Sequence, residues 1–182
     1  MIKVANTAFI KPMLFIFKIS PLIAILSGCA TIHNYSDQVL KRPAKIPNIW
    51  SAQGRLSVTT ANKVETAGFE IEFERQNYKL KLKATLGLGQ VIIESGERGL
   101  LVNSQITDMS FDRWMMNKMG WYFPINDIDK ILFQSAIEIS NRWNVSISSY
   151  KNINGINYPK VVRFNHLDYP IKIKLVLSNI NS

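Results

Sequence analysis

Cysteine is nearly missing from this 182-residue chain: Cys29 is the only one. A single thiol excludes an intramolecular disulfide and any cysteine-based metal cluster. Histidine is almost as scarce, and His33 and His166 cannot by themselves build a multi-histidine metal site. Acidic residues are absent before Asp37. Uninterrupted apolar runs are lacking too, because Lys18 and Pro21 break the stretch from Met13 to Leu26. Crossing the hydrocarbon of a bilayer takes about 20 consecutive apolar residues, so a permanent helical span is not expected there. Catalytic signatures are equally missing. No phosphate-binding G-x-x-x-x-G-K-[ST] or G-x-G-x-x-G occurs, and Gly87-Leu88-Gly89 lacks the third glycine and a following helix. No Ser-His-Asp arrangement finds support, and the residues point to no enzyme and no metal.

What is present is 47% hydrophobic and 19% charged, too apolar for a disordered chain and long enough for one domain with a real core. Lys+Arg 22 against Asp+Glu 13 leave a net charge of +9, which raises nucleic acid or an anionic membrane as partners. The position of that charge decides between them. Lys3, Lys11 and Lys18 precede the apolar run Ile19–Leu26, which ends in Leu26-Ser27-Gly28-Cys29. A basic start, an apolar middle and a small-residue end make an export signal. The four-residue end resembles the lipobox of bacterial lipoproteins, in which cleavage precedes the cysteine and that cysteine is acylated. Removing residues 1–28 and their three lysines leaves 154 residues with a charge of +6. An exported protein has no nucleic-acid partner, and by resemblance to the sorting rule of such lipoproteins, Ala30 after the cysteine, rather than Asp, implies the outer membrane. Several acyl chains would anchor it stably where one is marginal.

Residues 29–49 contain Pro43 and Pro47 and no sustained period, and read as an acylated N-terminus with a flexible tether. Lys41 and Arg42 there suit either anionic headgroups or plain solvation. The body, residues 50–182, is β-rich. Strands are expected at 55–60, 69–74, 78–83, 91–94, 100–103, 143–150, 160–165 and 171–177. Phe69, Ile71 and Phe73 alternate with Glu70, Glu72 and Glu74, and Tyr78, Leu80 and Leu82 alternate with Lys79, Lys81 and Lys83. A turn at Gln76-Asn77 would set Glu74 opposite Lys79, Glu72 opposite Lys81 and Glu70 opposite Lys83, a neutralised outer face. Phe111, Trp114, Met115 and Met119 recur at helical spacing, with Asp108 or Ser110 as cap and Gly120 as stop. Ile125, Ile128, Ile131 and Leu132 suggest a second short helix after Pro124. One-sided strands and amphipathic helices imply a curved antiparallel sheet whose apolar face the helices cover.

Several stretches together resemble the LolB family of outer-membrane lipoprotein receptors. Trp50-Ser-Ala-Gln-Gly54-Arg55-Leu56-Ser-Val58 is similar to its opening W-x-x-x-G-R-L-x-V. Tyr78 through Gly87 is similar to its tyrosine strand and P-L-G loop, and Gly120-Trp121-Tyr-Phe-Pro124-Ile125 to its G-W-x-L-P-V turn. Trp143 to Tyr150, Pro159 and Ile171 to Leu175 follow in order. Thr85 stands for the family's Pro, Ile131 for its usual Trp, and the terminal Trp is missing.

The resemblance implies a mainly β fold with some α: an incomplete, unclosed antiparallel β-barrel with helices covering an apolar cavity. It implies a monomer on the periplasm-facing leaflet of the outer membrane. Such a protein accepts acylated lipoproteins from the periplasmic carrier LolA and inserts them into the outer membrane. No cofactor is implied beyond diacylglyceryl and N-acyl lipid on Cys29. Phe69, Ile71, Phe73, Leu80, Leu82, Trp114, Met115 and Met119 would line the acyl-chain cavity, or else simply form a packed core. Leu86, or Leu88 two residues on, matches the loop residue that enters the membrane. The alternative is a lipoprotein that scaffolds an envelope complex and carries no lipid cargo.

Overall fold

The computed structural model describes residues 41–43, 45–84, 89–137 and 142–182. Cys29, Leu86 and Leu88, the expected lipidation and membrane-insertion residues, lie outside the described residues, as does most of 29–49. At the described end of that stretch, the Asn157 amide donates to the Lys41 carbonyl at 2.8 Å and Arg42 donates to the Gln134 carbonyl at 3.1 Å.

Nine antiparallel strands form one sheet. They are β1 (Ile49–Thr59), β2 (Val64–Glu74), β3 (Asn77–Ala84), β4 (Gln90–Gly96), β5 (Gly99–Val102), β6 (Gln105–Thr107), β7 (Trp143–Ile153), β8 (Ile156–His166) and β9 (Lys172–Asn181). Their order is β6-β5-β4-β3-β2-β1-β9-β8-β7. Two meanders are thus joined side by side through β1 and β9, and β6 and β7 remain as free edges. The sheet does not close. The chain passes from one edge to the other by way of α1 (Phe111–Met119) and a helical segment at 125–134. This is the expected unclosed antiparallel barrel with helices on its apolar side.

Alternation explains the strands. Along β1, Trp50, Ala52, Leu56 and Val58 are buried, and β9 buries Ile173, Leu175, Leu177 and Ile180. Residues between them face outward, the period-2 signature of a sheet wet on one side. Gly54 sits where the β1–β9 register shifts, and a Cβ there would meet the Val176 carbonyl oxygen at 2.1 Å. No other residue fits between those two backbones without moving them.

The β2–β3 hairpin departs from the expected register by two residues. Glu74 faces Asn77, Phe73 faces Tyr78, Ile71 faces Leu80 and Phe69 faces Leu82. The turn therefore lies at Arg75-Gln76, with Arg75 at φ 58. A slip of two keeps every side chain on its own face, so the hydrophobic pattern is blind to it and the turn chooses. Glu70 now lies directly opposite Lys81 and bonds it at 2.9 Å, while Lys83 reaches the same carboxylate diagonally. Lys79 pairs instead with Glu94 on β4, also at 2.9 Å.

Strands run longer than the alternation alone suggests, because the poorly patterned Val64–Gly68 is held in register by β1. β6 is short and shows no clear alternation; it forms by pairing with β5. The first helix matches its expected limits. Ser110 is the N-cap, accepting from the Arg113 amide, and Gly120 at φ 77 closes the end with its amide on the Met116 carbonyl. The second expected helix is not regular. Residues 125–127 form a 3₁₀ turn and Lys130–Gln134 a π-helical turn. With i→i+5 bonding the π turn holds more residues per turn than an α-helix, so consecutive side chains diverge less, and Ile131, Leu132 and Phe133 are all buried.

Candidate functional site

The site of interest is the apolar space between the sheet and the helices. Phe69 and Ile71 from β2, Leu80 from β3 and Leu175 and Leu177 from β9 face Phe123, Ile128 and Leu132 from the helical connection. Between them remains a void of about 10 Å³. That is at the limit for a single water molecule and far below the volume of an acyl chain. In this conformation the interior is filled by its own side chains.

The residues singled out from the sequence divide three ways. Phe69, Ile71 and Leu80 border the void. Leu82 and Met115 are buried in the same continuous cluster, Met115 completely. Phe73 is buried at one end of the sheet, stacked on Trp50 with centroids 4.5 Å apart, and Trp114 and Met119 pack on the cluster while half-buried. Not foreseen as lining residues were Leu175, Leu177, Phe123, Ile128 and Leu132. Leu175 and Leu177 were legible from the alternation of the last strand, and Ile128 and Leu132 from their i,i+4 spacing. Phe123 carried no periodic signal, because it sits in a non-helical turn.

Aromatic contacts cross this interior from sheet to helix and back. Tyr158 meets Phe133 edge-on, Phe133 meets Trp50, Phe73 meets Tyr78, Tyr78 meets Phe111, and Phe111 meets Phe123, with centroids 5.3–5.9 Å apart. Such pairs are worth about 0.5–1.5 kcal/mol each beyond their buried area. Burial, and then the Asp112 charge, push the Tyr78 phenol up, so it stays neutral.

The turn 121–123 fastens the helical connection at both sides. Trp121 donates its indole N–H to Glu65 of β2 at 3.3 Å, and the Tyr122 hydroxyl lies 2.9 Å from His166 Nε2 at the end of β8. His166 Nδ1 accepts the amides of Asp168 and Tyr169 at 3.0 and 3.2 Å, so the neutral ring carries its proton on Nε2 and donates it to Tyr122. Burial holds His166 below the usual histidine value, with the Arg142 charge acting the same way and Asp168 opposing it. Asp112, in the first turn of α1, has its carboxyl pushed up by partial desolvation and drawn back by the Arg142 charge. Among the described residues no group of three or more His, Cys, Asp and Glu could hold a metal, and no helix is long and apolar enough to cross a membrane.

An unclosed antiparallel sheet whose apolar face is covered by helices defines the class: an open, half-barrel β protein with a helical roof. Residues 48–179 match the family model described as outer membrane lipoprotein LolB. This chain belongs to the LolB family of outer-membrane lipoproteins. It is similar to the outer-membrane lipoprotein LolB of Francisella tularensis subsp. tularensis, 24% identical over 186 aligned positions covering 87% of this chain and 89% of the relative. It is 21% identical to that of Coxiella burnetii, over 85% of this chain and 87% of the relative. A DUF1329 family protein from Desulfovibrio piger superposes with a TM-score of 0.40 and 11% identity, over 74% of this chain and 85% of that one, too distant to bear on function.

Proposed function

We propose that this outer-membrane lipoprotein receives acylated lipoproteins from the soluble periplasmic carrier LolA and passes them into the outer membrane, housing their acyl chains between sheet and helices. The observation that supports this beyond family membership is the composition of the interior, where eight apolar side chains from three strands and the helical connection surround the void. The void is too small for a chain, so uptake requires the 125–134 segment to move off the sheet. Its change from a 3₁₀ to a π turn favours that segment as the moving part, because such irregular stretches often mark a functional hinge. Transfer proceeds without a chemical step if each site holds the chains more favourably than the one before. The anchor in this reading is lipid on Cys29, the protein acts as a monomer, and Leu86 or Leu88 enters the membrane to release the cargo.

The test mixes cargo-loaded carrier with the purified lipoprotein and then adds vesicles. Cargo is expected to move to this protein and on to the vesicles. Leu86→Glu is expected to accept cargo and retain it, with Leu88→Glu run beside it to locate the inserting residue. A scaffold without lipid cargo would leave all cargo on the carrier, and that outcome removes the reading.

A further inference from the structure

The outer face of the sheet carries a second feature that acyl-chain housing does not use. A groove of about 410 Å³ lies across β1, β2, β3 and β9, on the side away from the helices. Strand pairing builds it in two rows. Arg55 sits beside Gly68, and Gly68 beside Lys83. One step along, Lys174 sits beside Ser57, and Ser57 beside Thr66. Small side chains therefore form the floor and cations the walls. Above Gly68 the space is open, since an added Cβ would meet nothing closer than 3.8 Å.

The charge of this groove is not balanced from within. Glu70 is the neighbouring acid, and Lys81 and Lys83 already occupy its carboxylate. Lys174 faces Arg163 of β8 directly across the ladder, and among the described residues neither they nor Arg55 has an acidic partner. Like charges directly opposed weaken a sheet unless an external anion lies between them. The chemistry on offer is the Arg55 guanidinium for two-point contact with an oxyanion, the Lys174 ammonium as a point charge, and the Ser57 hydroxyl as a further donor. That set suits a phosphodiester. The groove also reaches Ala84, the end of the strand that leads into Leu86 and Leu88.

We infer that this groove docks on the phosphodiester headgroups of anionic phospholipids and so turns the β3–β4 end of the domain towards the bilayer. The inference rests on the membrane-delivery reading above, and a bilayer is the occupant because the groove adjoins the strand that carries the inserting loop. Docking at about five-fold per cation in the ratio of docked to undocked protein is the scale for a basic residue near an anionic surface. The contact should weaken with salt, since screening acts within about 10 Å at 0.1 M.

The test uses the full lipid-anchored protein with Asn165→Cys, the introduced thiol being the only one once Cys29 carries lipid. Asn165 faces outward on β8 beside Lys172, one step from the groove. A nitroxide there, in vesicles of phosphatidylcholine alone or with phosphatidylglycerol, is read by its accessibility to a water-soluble nickel chelate. Accessibility is expected to fall severalfold only in the anionic vesicles. Arg55→Gln with Lys174→Gln should reverse that fall, shifting the docked ratio about 25-fold at five-fold per charge. Glu70→Gln, which releases two lysines, should deepen it. Equal accessibility in both vesicles, or no response to either variant, overturns the inference. Protection that appears only when an acidic carrier protein is added also overturns it, by assigning the groove to a protein. Docking without cargo transfer in the mixing experiment leaves the groove standing and removes the delivery reading; transfer without docking removes the groove alone.

Discussion

Tyr122 and His166 meet at 2.9 Å in a buried contact that ties the turn between the two helical pieces to the last residue of β8. Like the Trp121–Glu65 bond, it is a polar fastening at this turn, between the helical connection and the sheet. Because His166 Nδ1 is committed to two backbone amides, Tyr122 is the acceptor that satisfies Nε2. Removing the hydroxyl leaves a buried donor unpaired, at about 1–3 kcal/mol. Tyr122→Phe is expected to lower stability by that amount in urea titration and to raise uptake of a fluorescent fatty-acid probe. Unchanged uptake at lowered stability would show that the fastening does not govern access.

Acid should loosen the same contact. A histidine held neutral by burial has its folded value below 6.5, so its contribution is complete above 6.5 and falls away as the pH drops below that. Glu70, held below the usual 4.5 by Lys83 and then Lys81, loses its contribution only in more acidic solution. Asp112, pushed up by burial, favours the folded state on acidification and so opposes the loss. Thermal unfolding is expected to show a fall in Tm beginning near pH 6.5 that His166→Gln abolishes. A flat profile down to the carboxylate range would contradict this account of the ring.

Truncating a roof residue should create the room that is now filled. Leu132 is 1% exposed and borders the void. Leu132→Ala is expected to lose about 2–5 kcal/mol by the cavity it leaves. The same change should strengthen binding of a small apolar probe, measured by fluorescence. A loss of stability with no gain in binding would mean that the roof collapses into the space.

Gly54 separates packing from function. The Val176 oxygen stands 2.1 Å from where a Cβ would be, and neither backbone can yield without breaking the β1–β9 ladder. Gly54→Ala is expected to lose about 1–3 kcal/mol or more, the range for overpacking. Denaturant midpoints check this, and a loss under half of that would mean that the bulge absorbs the methyl group.

The sequence by itself determined which face of the patterned strands is wet, because period-2 alternation at Phe69, Ile71 and Phe73 or at Ile173, Leu175 and Leu177 depends only on local geometry. It also determined the end of α1 at Gly120, narrowed its cap to Asp108 or Ser110, of which the structure uses Ser110, and identified the family through the order of several short motifs. Tertiary structure alone decided the rest. The hairpin register slipped by two because both registers bury the same side chains and only the turn at Arg75-Gln76 tells them apart. The 125–134 segment took 3₁₀ and π pitch because burying Ile131, Leu132 and Phe133 together against a curved sheet outweighed regular hydrogen bonding. His166 became a partner of Tyr122, 44 residues away, only when β8 and the helical connection met. Whether the apolar face enclosed a cavity or a packed core was likewise beyond the pattern: volume is a sum over side chains from distant strands and helices, and in this conformation that sum fills the space.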